Sequence, residues 1–231
     1  MGASSDKRKE FIYGERYKLY FNLKEIENTM DQEINADVIH ISEIDSTMPG
    51  SEKFIDAGNK LPFIYNSIIQ TAGKGKGNRK WAGGIKGNLY TSTGIPMKLL
   101  KNEINNKDTV VKLTVISILQ ELIKYNKEEI FLKYPNDIVC KENKKMGGVL
   151  VQEYKDFYII GFGINLIEKP DQSLIRVNGL PPCCLKDHIR NQEMPTALDL
   201  SIAISKRILF NINLTEEELN SLFEGFIQKN V

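Results

Sequence analysis

The chain has 231 residues, 41% of them apolar, which is enough for one well-packed core with at most a small appendage. Its 31 basic and 30 acidic side chains almost balance, so no global field directs it to nucleic acid or to a membrane. No apolar run approaches the length of a membrane span. The three cysteines form neither a disulfide framework nor a CxxC metal motif, and His40 and His188 are interpreted as structural or surface residues. We therefore predict a cytoplasmic protein with one main domain and no resident metal.

The N-terminal region has the weakest pattern. The first ten residues are charged and are predicted to be disordered, and residues 11–36 are predicted to form a short leading element, so the main domain is expected to start at residue 37. A strand follows at residues 38–41, and a helix is predicted over residues 51–60. Between them lie Ser46 and Thr47, residue types that at this place are typical of a turn or a helix cap.

A basic, glycine-rich stretch follows the predicted buried strand at residues 63–69. No Asp or Glu lies between Asp56 and Glu103, whereas that interval has eight Lys or Arg. Glycines at alternate positions from Gly73 to Gly77 let the backbone turn and present N–H groups to an anion. The stretch lacks the Ser or Thr of a GxxxxGK[ST] phosphate loop. On composition alone, an anion site and a solvated surface loop are both open.

The remaining elements predict the fold class. A strand at residues 88–94 is followed by a helix over residues 108–125, with a wide apolar stripe and Asp108 as its cap. Further strands are predicted at residues 130–133, 138–141, 149–154 and 157–162, and helices at residues 185–190, 196–210 and 216–228. Strands followed by helices predict an α+β domain, with a mixed, mainly antiparallel sheet and the helices on one face.

Three motifs resemble those of biotin–protein ligases. The run from Gly73 to Trp81, GKGKGNRKW, is similar to the family's GRGRxxRxW, with Lys for Arg twice. The run from Lys133 to Asp137, KYPND, is similar to KWPND, and KMGG from Lys145 follows it. The run from Gly161 to Asn165, GFGIN, is similar to GxGIN. The motifs occur in the family's order and spacing, and the resemblance covers roughly residue 38 to the C-terminus.

The resemblance implies a two-step reaction. Biotin's carboxylate attacks the α-phosphate of ATP, which carries Mg²⁺, and a lysine of a biotin carrier domain then attacks the biotinyl-AMP. Catalytic roles are implied for Lys145, as the cation between carboxylate and phosphate, and for Asp137, as the base for the carrier lysine. Lys144 is adjacent, and Met146-Gly147-Gly148 selects Lys145.

The resemblance also implies binding residues. Those expected at biotin are Ser46, Thr47, Gln70, Gly73, Lys74, Lys145, Gly147 and Gly148. Those expected at ATP or the adenylate are Lys74, Lys76, Arg79, Trp81, Asn136 and Asn165. Met48 departs from the family's S-T-N, so no role is carried over to it.

Partners and neighbouring domains follow as expectations. The carrier domain of a biotin-dependent carboxylase, of acetyl-CoA or pyruvate carboxylase type, is the expected acceptor, and a homodimer is possible. We expect neither an N-terminal winged helix nor a C-terminal SH3-like barrel in residues 1–231. Two alternatives remain open: a lipoate or octanoate ligase of the same fold, and a nucleic-acid-binding module that tracks phosphates with the basic loop.

Overall fold

The structure, a computed structural model, describes residues 14–27, 30–77, 79–126, 130–175, 177, 179–189 and 193–226. The disorder predicted for the first ten residues lies outside these ranges. None of the helices in the described ranges is both long and apolar enough to cross a membrane.

The described residues form ten strands and four α-helices. The strands are β1 Gly14–Asn22, β2 Glu33–Ile44, β3 Phe63–Gln70, β4 Gly73–Lys74, β5 Lys80–Trp81, β6 Leu89–Pro96, β7 Ile130–Lys133, β8 Asp137–Cys140, β9 Lys145–Tyr154 and β10 Phe157–Ile164. The helices are α1 Thr47–Asp56, α2 Lys107–Asn126, α3 Ala197–Asn211 and α4 Glu216–Phe226. Short 3₁₀ helices occur in the connections, among them Leu185–His188.

Eight strands form one mixed sheet in the order β1-β2-β3-β6-β10-β9-β8-β7. The pair β2–β3 is parallel, and the other pairs of this sheet are antiparallel. The remaining strands, β4 and β5, form a separate two-stranded ribbon. The predicted α+β class with a mainly antiparallel sheet is therefore confirmed.

Helices cover both faces of the sheet. The larger core cluster packs α2, α3 and α4 against one face, which agrees with the prediction. A smaller cluster packs α1 against the opposite face, and there the one-face prediction is wrong. The reason is the alternation along β10, where Phe157 and Ile159 point to α1 while Tyr158 and Ile160 point to the larger cluster. A strand that is apolar on both sides needs cover on both sides.

The N-terminal region is part of the same sheet. Strand β1 pairs with β2 over its whole length, from Gly14 opposite Ile41 to Asn22 opposite Glu33. The expected domain boundary at residue 37 therefore falls inside β2. Asp37 itself is buried, and its Oδ1 atom forms an ion pair with the Nζ atom of Lys18 in β1 at 2.8 Å. The covered residues Tyr17, Leu19 and Phe21 alternate along β1, but the exposed Tyr20 is also aromatic and blurs the pattern, and this is why the sequence did not reveal the strand.

Helix α2 begins one residue earlier than predicted and has a different cap. The Oδ1 atom of Asn106 accepts a hydrogen bond from the backbone N–H of Thr109 at 2.9 Å. Asp108 lies inside the first turn, where its negative charge interacts favourably with the positive end of the helix dipole. At the last helix, Thr215 and Glu218 form a reciprocal pair of side-chain to backbone bonds around the start of α4.

Buried hydroxyl pairs join the sheet to α3. Thr91 and Ser201 lie 2.8 Å apart at their hydroxyl oxygens, and Thr93 and Ser205 lie 2.7 Å apart. All four side chains are buried. Small hydroxyl side chains let the helix lie close to β6. Each buried hydroxyl forms a hydrogen bond with its partner, so neither is left without one.

The packing on the α1 face predicts a specific cost at Gly94. A Cβ atom there would lie 2.0 Å from the ring of Phe63, its direct neighbour in the register. Because that ring also packs on Phe54 and Phe157, it cannot move freely. We expect Gly94→Ala to lower the free energy of unfolding by about 1–3 kcal/mol, as for other overpacked cores. Urea denaturation measures the change.

Gly225 provides the control. It lies in α4, and a Cβ atom there would meet nothing within 4 Å. We expect Gly225→Ala to be neutral or to stabilise by up to about 1 kcal/mol, because alanine is the better helix former. Equal unfolding free energies for both variants would contradict the packing argument.

Candidate functional site

Glycines open a space on the α1 face of the sheet, in the neighbouring strands β9 and β10. Gly148 and Gly163 lie opposite each other in the register, and Gly161 lies opposite Leu150. The side chains of other residues occupy the space that these glycines leave. A Cβ on Gly161 would lie 2.6 Å from the sulfur of Met48, and one on Gly163 would lie 2.5 Å from the Trp81 ring.

An ion pair lies over the third glycine, Gly148. The Nζ atom of Lys145 donates to Oδ1 of Asp137 at 2.7 Å, and both side chains are a little over one quarter exposed. A Cβ on Gly148 would touch both members of the pair, at 3.4 Å and 3.5 Å. The ammonium group also lies 5.6 Å from the ring centre of Trp81. The register thus brings the cation, the carboxylate and the indole together.

The backbone of Lys145 is held on both sides. Its N–H donates to the carbonyl of Pro181 at 2.7 Å, and its carbonyl accepts from the N–H of Cys183 at 2.9 Å. A residue fixed in this way presents its side chain from a rigid base, whereas the same cation on a loop would be less well placed.

Two cavities meet at this ion pair. They share Arg79, Lys80, Trp81, Asp137 and Lys145. The inner cavity extends toward α1, and its further lining includes Ser46, Thr47, Met48, Gln70, Lys74, Lys76, Asn136, Gly148, Leu150 and Phe162. The outer cavity extends toward the segment after β10, and its further lining includes Lys133, Asn165, Pro170, Leu174, Ile175 and Pro182.

Both cavities are strongly basic. Five cations line the inner cavity and four line the outer one, counting the three that are shared: Lys74, Lys76, Arg79, Lys80, Lys133 and Lys145. Among the described lining residues, Asp137 is the one acid. A negatively charged ligand is therefore favoured in either cavity, and two anions brought together are stabilised most where the cavities meet.

The ribbon of β4 and β5 carries most of these cations across the opening. Its turn is closed by a hydrogen bond from the N–H of Gly75 to the carbonyl of Arg79 at 2.8 Å. The Arg79 Nε atom donates to the carbonyl of Lys76 at 2.7 Å. Gly77 has a φ of 68°, which favours glycine at this turn. The glycines that predicted an anion site thus form a hairpin over the cavities.

The inner cavity ends in a buried polar network. The Oε1 atom of Gln70 accepts from the N–H of Thr47 at 2.9 Å and from its hydroxyl at 3.3 Å. That hydroxyl lies 2.7 Å from the hydroxyl of Ser92. Ser46 is the cap of α1, since its hydroxyl oxygen accepts from the N–H of Met48 at 3.4 Å. Ligand groups that donate and accept hydrogen bonds suit this end of the cavity.

Lys144 and Lys145 differ clearly in their surroundings. Lys144 pairs with the exposed carboxylate of Glu142 at 2.8 Å, a hydrogen bond that raises the pKa of Lys144 and lowers that of Glu142. Lys145 lines both cavities, and Lys144 lines neither. The geometry therefore favours Lys145 as the functional lysine, as the motif predicts.

Four predicted site residues have packing roles. Asn136 donates from its amide to the carbonyl of Val149 in β9 at 2.9 Å, and Asn165, just after β10, donates to the carbonyl of Cys183 at 3.0 Å. Gly73 lies behind Gln70 and Trp81. Gly147 packs against the carbonyl of Gly163 and the side chains of Ile164 and Ile138, and neither Gly73 nor Gly147 lines a cavity.

Comparison with known proteins agrees with this arrangement. Residues 62–165 match the biotin/lipoate A/B protein ligase family. These residues are a little under half of the chain. A biotin–[acetyl-CoA-carboxylase] ligase of Mycobacterium tuberculosis is 27% identical over 104 residues, which are 45% of this chain and 39% of that protein. The human biotin–protein ligase is 26% identical over 181 residues, 74% of this chain and 23% of that protein.

Among solved structures, the fold is similar to a biotin protein ligase from Leishmania major in complex with biotinyl-5-AMP. The TM-score is 0.71 at 22% identity, and the match covers 83% of this chain and 81% of that one. At this identity the likeness establishes the fold. The chain spans well under half the length of the two curated relatives, so what it does and what it acts on are argued below.

Several residues of the site have no predicted role. Met48 departs from the motif, yet it is buried, lines the inner cavity and fills the space above Gly161. Lys80 and Lys133 line the cavities and were given no role. A segment without a predicted role, residues 170–175 and 179–182, forms one wall of the outer cavity. Its prolines were the available signal, since they indicate a fixed rather than a pliable segment.

The seat of Trp81 on Gly163 can be tested by fluorescence, because Trp81 is the only tryptophan in the chain. Gly163→Ala places a methyl group where the indole lies, so the ring must move toward solvent. We expect the emission to shift to longer wavelength while the protein stays folded, as judged by circular dichroism.

Gly161→Ala is the matched control. Gly161 lies two residues before Gly163 in the same strand, and the added methyl group would meet the flexible end of the Met48 side chain. We expect the tryptophan emission of this variant to match that of the native protein. A shift in the control, or none in Gly163→Ala, would show that Trp81 does not rest on Gly163 in solution.

Proposed function

We propose that this protein joins biotin to ATP as biotinyl-5′-AMP and then transfers biotin to a lysine of a biotin carrier domain. The observation that carries the proposal is the position of Lys145, which lines both cavities where they meet and is held there by Asp137. An enzyme that joins two anionic substrates needs a fixed cation between them. The relatives named above act in biotin attachment or are solved with biotinyl-5-AMP.

The inner cavity is the proposed biotin site. Its closed end offers the Thr47, Gln70 and Ser92 network to a polar ring, while Met48 and Leu150 supply apolar contact for a thioether ring and an aliphatic chain. Such a mixture is typical of small-molecule sites. The chain's carboxylate would then reach Lys145 at the junction. Ser46 and Gly148 border this path, whereas Gly73 and Gly147 would act by supporting Gln70 and β9.

The outer cavity is the proposed nucleotide site. Arg79, Lys80 and Lys133 would neutralise phosphates there, with Lys74 and Lys76 reaching the α-phosphate from the inner side. Trp81 separates the cavities and would stack on the adenine or the sugar edge. ATP would enter as its Mg²⁺ complex, since Mg²⁺ is usually bound through substrate phosphates. Asn136 and Asn165 would border the phosphates and ribose.

In the first step, a carboxylate oxygen of biotin attacks the α-phosphorus, and the bond to the leaving diphosphate breaks. Negative charge accumulates on the α-phosphate oxygens, and the Lys145 ammonium stabilises it without reorganising, because Asp137 and the backbone already hold it. The ribbon excludes water from the anhydride that forms.

In the second step, the carrier lysine attacks the acyl carbon, and AMP leaves. That amine is mostly protonated at neutral pH, so it must lose a proton before it attacks. The Oδ1 atom of Asp137 accepts the hydrogen bond from Lys145, and Oδ2 is the atom that would accept this proton. Asp137 would thus serve first as the positioner of the cation and then as the base.

The acceptor follows from the relatives. A carrier domain of a biotin-dependent carboxylase is proposed, and the name of the mycobacterial relative points to acetyl-CoA carboxylase. A pyruvate carboxylase acceptor and a homodimer also stay proposals. All three cysteines are free, which agrees with a reducing, cytoplasmic location.

One assay tests the proposal against the lipoate alternative, which belongs to the same family. The protein is incubated with ATP and radiolabelled biotin, lipoate or octanoate, and adenylates are separated by chromatography. We expect an adenylate with biotin alone. Formation with lipoate or octanoate instead would overturn the biotin assignment. Retention of labelled DNA or RNA without any adenylate would favour the binding module.

The role of Lys145 predicts a large loss of activity. Lys145→Ala removes the cation but no core packing, so we expect a folded protein with adenylate formation at least ~10²-fold slower, the scale for one charge-stabilising group. Biotin-dependent release of diphosphate measures the rate. Lys144→Ala is the control and should stay near the native rate, because Lys144 pairs with Glu142 outside both cavities. The opposite ranking would transfer the role to Lys144.

Lys76 gives a second prediction, since the resembled family has Arg at this place. A guanidinium holds a phosphate through two parallel hydrogen bonds, whereas an ammonium is a point charge. One added charge-assisted bond of ~1.5 kcal/mol would lengthen residence of the adenylate about tenfold. We expect Lys76→Arg to release preformed biotinyl-AMP about tenfold more slowly than the native protein in a chase with unlabelled ligand.

Lys86→Arg is the matched control for this experiment. Lys86 belongs to the same acid-free stretch but lines neither cavity. Its release rate should equal that of the native protein. If Lys76→Arg also shows the native rate, Lys74 or Arg79 holds the ribbon closed and Lys76 is solvated charge.

A further inference from the structure

Three metal-ligand side chains converge on the side of the β8–β9 hairpin away from the two cavities. Cys140 ends β8, Cys183 lies in the segment that follows the outer-cavity wall, and His188 ends the 3₁₀ helix Leu185–His188. The two sulfurs and a ring nitrogen of the histidine all lie within 4.8 Å of one another. Both cysteines are almost fully buried, and neither forms a disulfide.

A buried cysteine is often only a small apolar side chain. Cys184 fits that description, because its thiol donates to the carbonyl of Ile167 at 3.6 Å and it belongs to no such cluster. Cys140 and Cys183 differ, since two thiols and an imidazole from two separate stretches of chain meet at one point. In the part of the chain that the structure describes, this is the one group of three or more such ligands.

We propose that Cys140, Cys183 and His188 form a zinc-binding site. Thiolate and imidazole are the ligands that zinc prefers among nitrogen and sulfur donors. Ligand atoms around tetrahedral zinc lie ~3.5–3.8 Å apart, which follows from Zn–S of about 2.3 Å and Zn–N of about 2.0 Å. From at most 4.8 Å, the ligands therefore need to approach one another by no more than about 1.3 Å. Two thiolates neutralise the ion, and a solvent molecule completes the shell.

The site would join the segment at residues 181–188 to the hairpin that carries Lys145. Cys140 donates its N–H to the carbonyl of Lys144 at 2.9 Å, and the Cys183 thiol donates to the same carbonyl at 3.3 Å. The neighbouring backbone bonds of Lys145 run to Pro181 and Cys183. A metal ion here would fix the same backbone that fixes the functional lysine, from the opposite side. The proposed role is structural, since these three side chains line neither the inner nor the outer cavity.

Direct metal binding tests the proposal without biotin, ATP or a carrier, so its failure leaves the proposed function untouched. The full chain is purified under reducing conditions, stripped with a chelator and titrated with Zn²⁺ against a chromophoric competitor. Co²⁺ serves as a second probe, because sulfur-to-cobalt charge-transfer bands report thiolate ligation. We expect one equivalent of zinc and thiolate-type cobalt bands.

Variants assign the ligands. Cys140→Ser, Cys183→Ser and His188→Gln should each weaken zinc binding by more than the ~10–100-fold that changes in outer-shell groups cost. Cys184→Ser is the matched control and should bind zinc as the native chain does, because it removes the adjacent thiol and leaves the cluster intact. His188→Gln also guards against misfolding, since His188 is only partly buried and its loss opens no large void.

Thermal denaturation with and without zinc gives an independent readout. Zinc should raise the melting temperature of the native chain and of Cys184→Ser, because a ligand that binds only the folded state stabilises it. The rise should be absent in the three ligand variants. Substoichiometric zinc in the native chain, or equal binding by all cysteine variants, would overturn the site.

Discussion

The contact between Lys145 and Asp137 is the interaction around which the site is arranged. Two cavities can share one cation only if that cation is fixed, and an ammonium on a four-carbon stem is not fixed by itself. Here the carboxylate holds its end, the missing side chain of Gly148 gives the pair its room, and two backbone bonds hold its base. The Asp137 charge also keeps a partly buried cation from being isolated among five others, which would be costly.

The other cations are arranged differently. Four of them lie on the ribbon of β4 and β5: Lys74, Lys76, Arg79 and Lys80. The two strands of this ribbon pair with each other and are not part of the eight-stranded sheet. A cation on a rigid strand can act at a defined point, while cations on a ribbon can admit and then enclose a charged ligand. In the proposed reaction, the fold would therefore separate the group that stabilises charge from the groups that control access.

Much of this was predictable from the sequence. The apolar runs of β3, β6 and β10 and the stripe of α2 are strongly periodic, so their existence and type were found correctly. The glycine-rich basic stretch pointed to an anion site because the absence of acids over such a length is itself a chemical signal. Lys145, Asp137 and Trp81 came from the motifs, and the structure brings them to one point.

What failed were properties that depend on contacts between distant residues. β1 was missed because the exposed Tyr20 lies between Leu19 and Phe21 and hides the alternation of the covered residues. Met48 was set aside because its role depends on Gly161, more than a hundred residues away in the chain. Gly147 and Gly148 look equivalent in sequence, but alternation along β9 sends them to opposite faces. Cys140 and Cys183 are separated by 43 positions, and no spacing rule would have paired them.

The buried hydroxyl pairs between β6 and α3 have a consequence for how this sequence can vary. Replacing Ser205 alone by alanine would leave the Thr93 hydroxyl buried without its partner, at a cost of about 1–3 kcal/mol, whereas replacing both by apolar residues of similar shape would be nearly neutral. A single replacement therefore lowers the stability of the fold, whereas the double replacement hardly changes it. Among related chains, the two positions of each pair should therefore be substituted together. Sequence changes in the interface between this helix and the sheet should occur two residues at a time.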